Sequence, residues 1–236
     1  MMEVSQIDYK GMELAAADRL LDPSPMMVET GVERLESGGL RVAARTDMPG
    51  CTGAMFEWWF GSGPDTTRYK WWHPGDHVSS EWLEWSPGKN IGTTHVVKER
   101  LAGSEEIYDL QIRFIDPTEI FDADKYEAAR AGGDASVAIC ATLGIGEEPM
   151  RDDQGRPANG KMCHLGRDTE FGLVLRSSFW LGGGVDAPPE ELRAAIPDQL
   201  GLSLMAHAHT EWKMLARFLP SLYAAEAEGE GTAIPW

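Results

Sequence analysis

The hydrophobic period of this chain changes once, at Pro188, and that change limits its architecture more than any other feature. Before Pro188 come short runs: GTTHVVKERLAG, EIYDLQIRFIDP, ASVAICATLG, KMCHLGRDTE and FGLVLRSSFWLG. Each is rich in β-branched or aromatic residues and is bounded by Gly, Pro or Asp, as expected of a series of antiparallel strands. After Pro188 the period is helical. PPEELRAAI has Pro before a short helix and acids in its first turn. DQLGLSLMAHAHTEWKMLARFLPSLYAAEA predicts a long helix ending near Pro220. Leu200, Leu204, Ala208, Trp212, Leu215 and Leu219 recur on it at spacings of three and four, which makes one face apolar. Strands followed by one long C-terminal helix give an α+β fold, an antiparallel sheet gripping that helix. A curved sheet around a helix leaves a cavity between the two, and such cavities take apolar molecules.

Residues 1–50 read as a small N-terminal helical segment, with one helix-like stretch and a turn at Gly38-Gly39 inside SPMMVETGVERLESGGLRVAARTDM. Residues 51–236 read as the main domain. CTGAMFEWWFGSG, closed by Gly and Pro64, reads as helical or irregular.

Charge and cysteine content exclude several classes. The net charge of −17 leaves no basic cluster for phosphates, so no nucleic-acid partner is expected, and an anionic membrane surface is disfavoured. Nine tryptophans and a full apolar complement argue against disorder. Cys51, Cys140 and Cys163 form no C-x-x-C pair and read as reduced thiols of a cytoplasmic protein. The first residues lack the basic and apolar regions of a signal peptide. No apolar run approaches the roughly 20 residues of a membrane helix. G-x-S-x-G, G-x-G-x-x-G, P-loop and H-E-x-x-H patterns are absent.

Chemistry-bearing residues gather in four places. On the long helix, His207 and Glu211 are four apart and share a face, as two ligands offered to one metal do. An ordinary His–Glu hydrogen bond on a solvated face is equally compatible with that spacing. The apolar surroundings, Met205, Ala206, Ala208 and Trp212, make an unpaired carboxylate there costly. His209 points elsewhere. RYKWWHPGDHV places Tyr69, His73 and His77 among tryptophans. It reads as a loop, with His73 extended before Pro74 and His77 opening the next extended piece. In GTTHVVKERLAG a strand puts His95, Val97 and Glu99 on one face, plausibly inward, where Glu99 needs a partner. His164 lies in KMCHLGRDTE, in a strand or turn. The acidic stretch Gly146 to Lys161 lacks calcium-loop order and reads as solvated.

FEWWF, RYKWWHPGDH, HVVKE and the final H-x-x-x-E together resemble the 2,4-diacetylphloroglucinol hydrolase family, to which phloretin hydrolases also belong. The resemblance spans residues 50–220. It implies a Bet v 1-like helix-grip catalytic domain. It also implies a zinc-dependent hydrolase that cuts the carbon–carbon bond between an acyl group and a phenolic ring, with a small aromatic ketone as substrate. The family's zinc ligands, two His and two Glu, fall on His77, Glu99, His207 and Glu211. His73 is the alternative for the first of these, and His77 is preferred for its spacing from Tyr69. Tyr69 and His164 take the catalytic positions. His73, Ser80 and Phe179 take substrate-binding positions, with Ser80 standing where the family has asparagine and Phe179 where it has a second tyrosine. Two other readings use the same residues: a non-catalytic binding module for an apolar aromatic ligand, and an iron-dependent oxygenase. An exposed tryptophan surface would support a homodimer.

Overall fold

The computed structural model describes residues 10–229; the outer ends of both expected ranges, residues 1–9 and 230–236, lie outside them. Eight strands form one sheet: β1 (Gly31–Arg34), β2 (Leu40–Pro49), β3 (His77–Leu83), β4 (Thr94–Glu99), β5 (Tyr108–Ile115), β6 (Val137–Ile145), β7 (Gly160–Thr169) and β8 (Gly172–Leu181). Their order is β1-β2-β8-β7-β6-β5-β4-β3, antiparallel throughout. Helices α1 (Gly53–Gly61) and α2 (Thr66–Trp72) separate β2 from β3, and α3 (Ala123–Gly132) separates β5 from β6. The chain closes with α4 (Pro189–Ala195), α5 (Asp198–Leu215) and α6 (Leu219–Glu226).

The sheet curls around α5. In a flat sheet β2 and β4 would stand five strand spacings apart, roughly 24 Å. Yet α5 packs on β2 closely enough that a Cβ on Gly201 would lie 2.5 Å from Leu40 Cδ2. The same helix brings His207 within 3.8 Å of Glu99 on β4. Only a sheet wrapped about the helix meets both conditions, so the architecture is a helix grip.

Both faces of the sheet are covered, which is why strands such as ASVAICATLG read as nearly continuous apolar runs. Leu40, Val42, Ala44, Ile139, Leu175 and Phe179 face α5, together with α1 and Trp212. Cys140, Cys163, Leu165 and Trp180 face outward under α3 and a 3-10 helix, Leu14–Leu21.

Three expectations are corrected. The stretch around GVERLESGGLRVAARTDM is not helix-like: it is the β1–β2 hairpin, turning at Gly38-Gly39, and β2 pairs with β8 along its whole length. The first half of β2, Leu40 to Ala44, is buried on both faces, so it lacks the alternation that marks a half-exposed strand. Its outward Arg41 is buried in an ion pair with Glu33 and also reaches Ser178 Oγ. The preceding segment is tied down by Trp180, which donates to the Met12 carbonyl at 3.0 Å. Residues 31–49 therefore belong to the same sheet as β3–β8.

RYKWW is not a loop but most of α2. Asp65 caps it, accepting from the Arg68 amide at 2.9 Å, and Pro74 stops it because a residue before proline avoids the helical region. The last long helix is two helices. Pro220 has no N–H to donate back and would clash with the Ala216 carbonyl, so α5 ends at Leu215 and Pro220 sits in the first turn of α6. Among the described residues, no helix is long and apolar enough to cross a membrane.

Candidate metal centre and cavity

Four side chains from three elements converge at one end of the gripped helix. His77 opens β3, and the register sets it directly opposite Glu99, the last residue of β4. His207 and Glu211 stand one turn apart on α5. All four are buried. His77 Nε2 lies 3.7 Å from Glu211 Oε2 and 3.9 Å from Glu99 Oε2. His207 Nε2 lies 3.8 Å from Glu99 Oε2 and 4.0 Å from Glu211 Oε2. These separations are too long for hydrogen bonds. A tetrahedral ion with bonds of about 2.0–2.1 Å holds its donors about 3.4 Å apart; the four His–Glu separations are a few tenths of an ångström longer, and the donor atoms of His77, Glu99 and His207 all lie within 4.8 Å of one another.

The tautomers fit a metal as well. His77 Nδ1 lies 2.7 Å from the Tyr69 carbonyl, so it carries the proton and donates. Its Nε2 lone pair is then buried without a hydrogen-bond partner among the described residues. His207 Nδ1 lies 3.0 Å from Asp76 Oδ2, which likewise turns Nε2 toward the two glutamates. A ligating histidine whose other nitrogen is held by a carbonyl or carboxylate is the usual support of a metal site. Two imidazole nitrogens and two carboxylate oxygens suit zinc or another borderline dication better than calcium or magnesium, which prefer all-oxygen sites.

Electrostatics agree. Burial holds the Glu211 carboxyl well above the usual carboxylate range; Glu99 and Asp76 add to this and His207 opposes it. Burial pulls His207 down, but Glu99, the bond to Asp76 and Glu211 outweigh it and push the imidazole up to about 9. Burial, joined by His207, takes His77 well below its ordinary value. The pocket thus gathers more carboxylate than it can keep ionised in a poorly solvated place, a cost that a dication would offset.

Asp76 was not picked out from sequence. Its carboxylate accepts the amides of Ala102 at 2.9 Å and Gly103 at 3.0 Å in addition to His207. Burial alone would raise its pKa, but these bonds bring it down to about 2. An acid directly before His77 in HPGDH was the only signal, and sequence cannot say that it meets α5. Asp76 also touches His73, and His73, Asp76 and His207 form a second group of donor atoms within 4.8 Å of one another. His73 Nδ1 accepts the Asp76 amide at 3.2 Å and its Nε2 lies 3.4 Å from Asp76 Oδ2. Nδ1 is thus held by a hydrogen bond and Nε2 faces the carboxylate, and the ring stacks on His207 at 4.7 Å. His73 packs against a candidate ligand and is not among the residues that line the cavity.

Beside the four-residue cluster lies a largely apolar cavity. Its polar wall atoms come from few residues. The Tyr69 hydroxyl donates to Glu99 Oε2 at 2.5 Å, and its ring stacks on His77 at 3.6 Å. Burial, followed by Glu99, raises the phenol well above its ordinary pKa. His164 bonds Ser177 Oγ through Nδ1 at 2.8 Å, across the β7–β8 register, and packs edge-on to Trp212. Burial takes it down to about 3, so it is neutral. Phe179 lines the cavity next to His164.

Ser80 does not line it. Its hydroxyl lies behind the wall, donating to the Pro64 carbonyl at 2.8 Å and meeting His95 Nε2 at 2.8 Å. A register shift between His77 and Ser79 precedes it on β3. His209 bonds Thr46 on the far side of α5 at 3.3 Å and takes no part.

The family described as DAPG hydrolase PhiG domain matches residues 12–224. The chain is 27% identical to 2,4-diacetylphloroglucinol hydrolase of Pseudomonas protegens over 230 residues, covering 87% of this chain and 71% of that protein. It is 29% identical to phloretin hydrolase of Eubacterium ramulus over 208 residues, covering 81% and 70%. Among solved structures, Ara h 8.0201 aligns at 13% identity over 76% of this chain and 96% of its own, with a TM-score of 0.46. A family match that takes in the N-terminal strands, the cluster and α5 in one span means that this chain belongs to the DAPG hydrolase PhiG domain family.

Proposed function

We propose that this chain is a zinc-dependent hydrolase that cleaves the carbon–carbon bond between an acyl group and a polyphenolic ring, releasing a carboxylic acid. The observation that carries the proposal is the buried, unpartnered Nε2 of His77 facing Glu99 and Glu211 at the end of an apolar cavity. The names of the relatives support it: each is a hydrolase of a diacetylphloroglucinol or of phloretin.

An aryl carbanion is a poor leaving group, so the ring has to change first. A proton leaves a ring hydroxyl and one arrives at the ring carbon bearing the acyl group, giving a β-diketone. Water then adds to the acyl carbonyl. The carbon–carbon bond breaks with its electron pair returning to the ring as an enolate, which regains a proton as a phenol. His77 Nε2, His207 Nε2 and a carboxylate oxygen from each of Glu99 and Glu211 would hold the ion. When bound, zinc polarises oxygen and makes water more acidic. Tyr69, whose phenol stays protonated, can turn its hydrogen from Glu99 to a substrate oxygen. Neutral His164, which lines the cavity, can hydrogen-bond a phenolic oxygen of the substrate. The aromatic walls exclude bulk water and hold the flat ring.

The test combines metal analysis with turnover of 2,4-diacetylphloroglucinol, phloretin and simple β-diketones. One zinc per chain and carboxylic acid release are expected, with both lost in Glu211→Gln. Full activity in metal-free protein would refute the proposal. Retention of a ligand without turnover would favour a binding module, and dioxygen consumption would favour an iron enzyme.

A further inference from the structure

His95 is a polar residue of the cavity wall that the mechanism above does not use. It lies on the inner face of β4, four residues before Glu99, and it lines the cavity. Its ring is sandwiched by neighbours that fix its plane: it stacks on Trp82 at 4.1 Å and meets Tyr69 edge-on at 5.3 Å.

The tautomer follows from counting one proton. The Ser80 hydroxyl has a single hydrogen. It lies 2.8 Å from the Pro64 carbonyl, which can only accept, so the hydrogen goes there. Ser80 Oγ must then accept from His95 Nε2, 2.8 Å away, and His95 is the Nε2–H tautomer. The Thr66 hydroxyl holds the Ser80 backbone, donating to its carbonyl at 3.2 Å and accepting its amide at 3.0 Å. The lone pair is therefore on Nδ1. That atom has no hydrogen bond among the described residues, and the His95 side chain lines the cavity.

We propose that His95 Nδ1 accepts the hydrogen of a substrate ring hydroxyl, the one para to the acyl group, and so selects polyphenols over less hydroxylated rings. The inference rests on the acylphenol reading for the identity of the substrate. The placement argues for the para position. Four residues along a strand put the Cα of His95 about 13 Å from that of Glu99. An acyl group at the Glu99 end and an aromatic ring between leave the opposite hydroxyl at His95. Burial keeps the imidazole neutral, with its pKa down at about 3, so Nδ1 remains an acceptor at every working pH. A site with a buried acceptor discriminates strongly against a ligand lacking the matching donor, because the acceptor is then left unpaired.

The test uses the zinc-loaded protein. Wild type, His95→Phe and His95→Gln are compared on the acylphloroglucinol turned over best and on its analogue lacking the para hydroxyl. Wild type should prefer the parent substrate by tenfold or more in kcat/KM. His95→Phe should lose that preference by slowing the parent and leaving the analogue nearly unchanged, and His95→Gln should restore part of it. Equal losses on both substrates would show a merely structural residue and overturn the proposal.

Phloroglucinol binding, read by calorimetry, separates this inference from the functional one. If wild type turns over no acylphenol but binds phloroglucinol at least tenfold more tightly than His95→Phe, the hydrolase reading fails and His95 stands. Equal phloroglucinol affinities with turnover intact would overturn His95 alone. Circular dichroism melts of each variant establish that it is folded.

Discussion

Replacing Asp76 by asparagine isolates the support of the candidate metal site from its ligands. Asp76 Oδ2 accepts from Ala102 N and His207 Nδ1, at 2.9 and 3.0 Å, and Oδ1 accepts from Gly103 N at 3.0 Å. Asparagine keeps one acceptor. Its best placement leaves the oxygen toward Ala102 and His207 and sets the NH2 group against the Gly103 N–H. A buried donor then faces a donor, which costs about 1–3 kcal/mol of stability. The second effect is on His207. An anion behind Nδ1 makes Nε2 a better electron donor, and losing such a carboxylate weakens metal binding about 10–100-fold, or about 1.4–2.7 kcal/mol. Competition with a chromophoric chelator gives the zinc affinity, and denaturant melts of metal-free protein give the stability. A wild-type zinc affinity in a folded Asp76→Asn protein would refute the argument that Asp76 orients and tunes His207.

Two further outcomes follow from groups outside the cluster. His95 and His164 have folded pKa values of about 3 against 6.5 for a free imidazole. Unfolded chains take up these protons as pH falls through 6.5 while the folded protein does not, so their stability contribution is complete above 6.5 and is lost toward pH 3. At pH 5 the loss is about 2 kcal/mol for each. Denaturant midpoints of metal-free protein at pH 7.5 and 5 measure it, and His164→Gln should show a shallower drop; equal midpoints would contradict it. Arg41→Met takes the guanidinium from the buried carboxylate of Glu33 and should cost about 3–5 kcal/mol. A loss of under 1 kcal/mol would mean that the β1–β2 hairpin does not need the ion pair.

The legible parts of this molecule were those with a local period. Alternation along THVVKE put His95, Val97 and Glu99 on one face, and all three are buried on it. Spacing on α5 put His207 and Glu211 together and sent His209 away. Strands β4 to β8 were legible from their punctuation. Strands β1 and β2 were not, because burial on both faces of the first half of β2 erases alternation and GVERL fits a helical turn as well as a strand. Helix α2 is only seven residues long, too short for a period to show.

What the sequence by itself determined is therefore the kind of architecture and half of the site: a sheet, a gripped helix, and two ligand-bearing faces. The pairing of those faces belongs to the tertiary structure. Only the curl of the sheet brings β4 to α5, and only the turn between α2 and β3 sets the His73 ring against Asp76 while leaving one nitrogen of His77 free. The same holds for Ser80, whose hydroxyl a neighbouring carbonyl makes the anchor of His95. Hydrophobic period is a property of neighbours along the chain. Convergence of charge and the last hydrogen of a hydroxyl are set by neighbours in space.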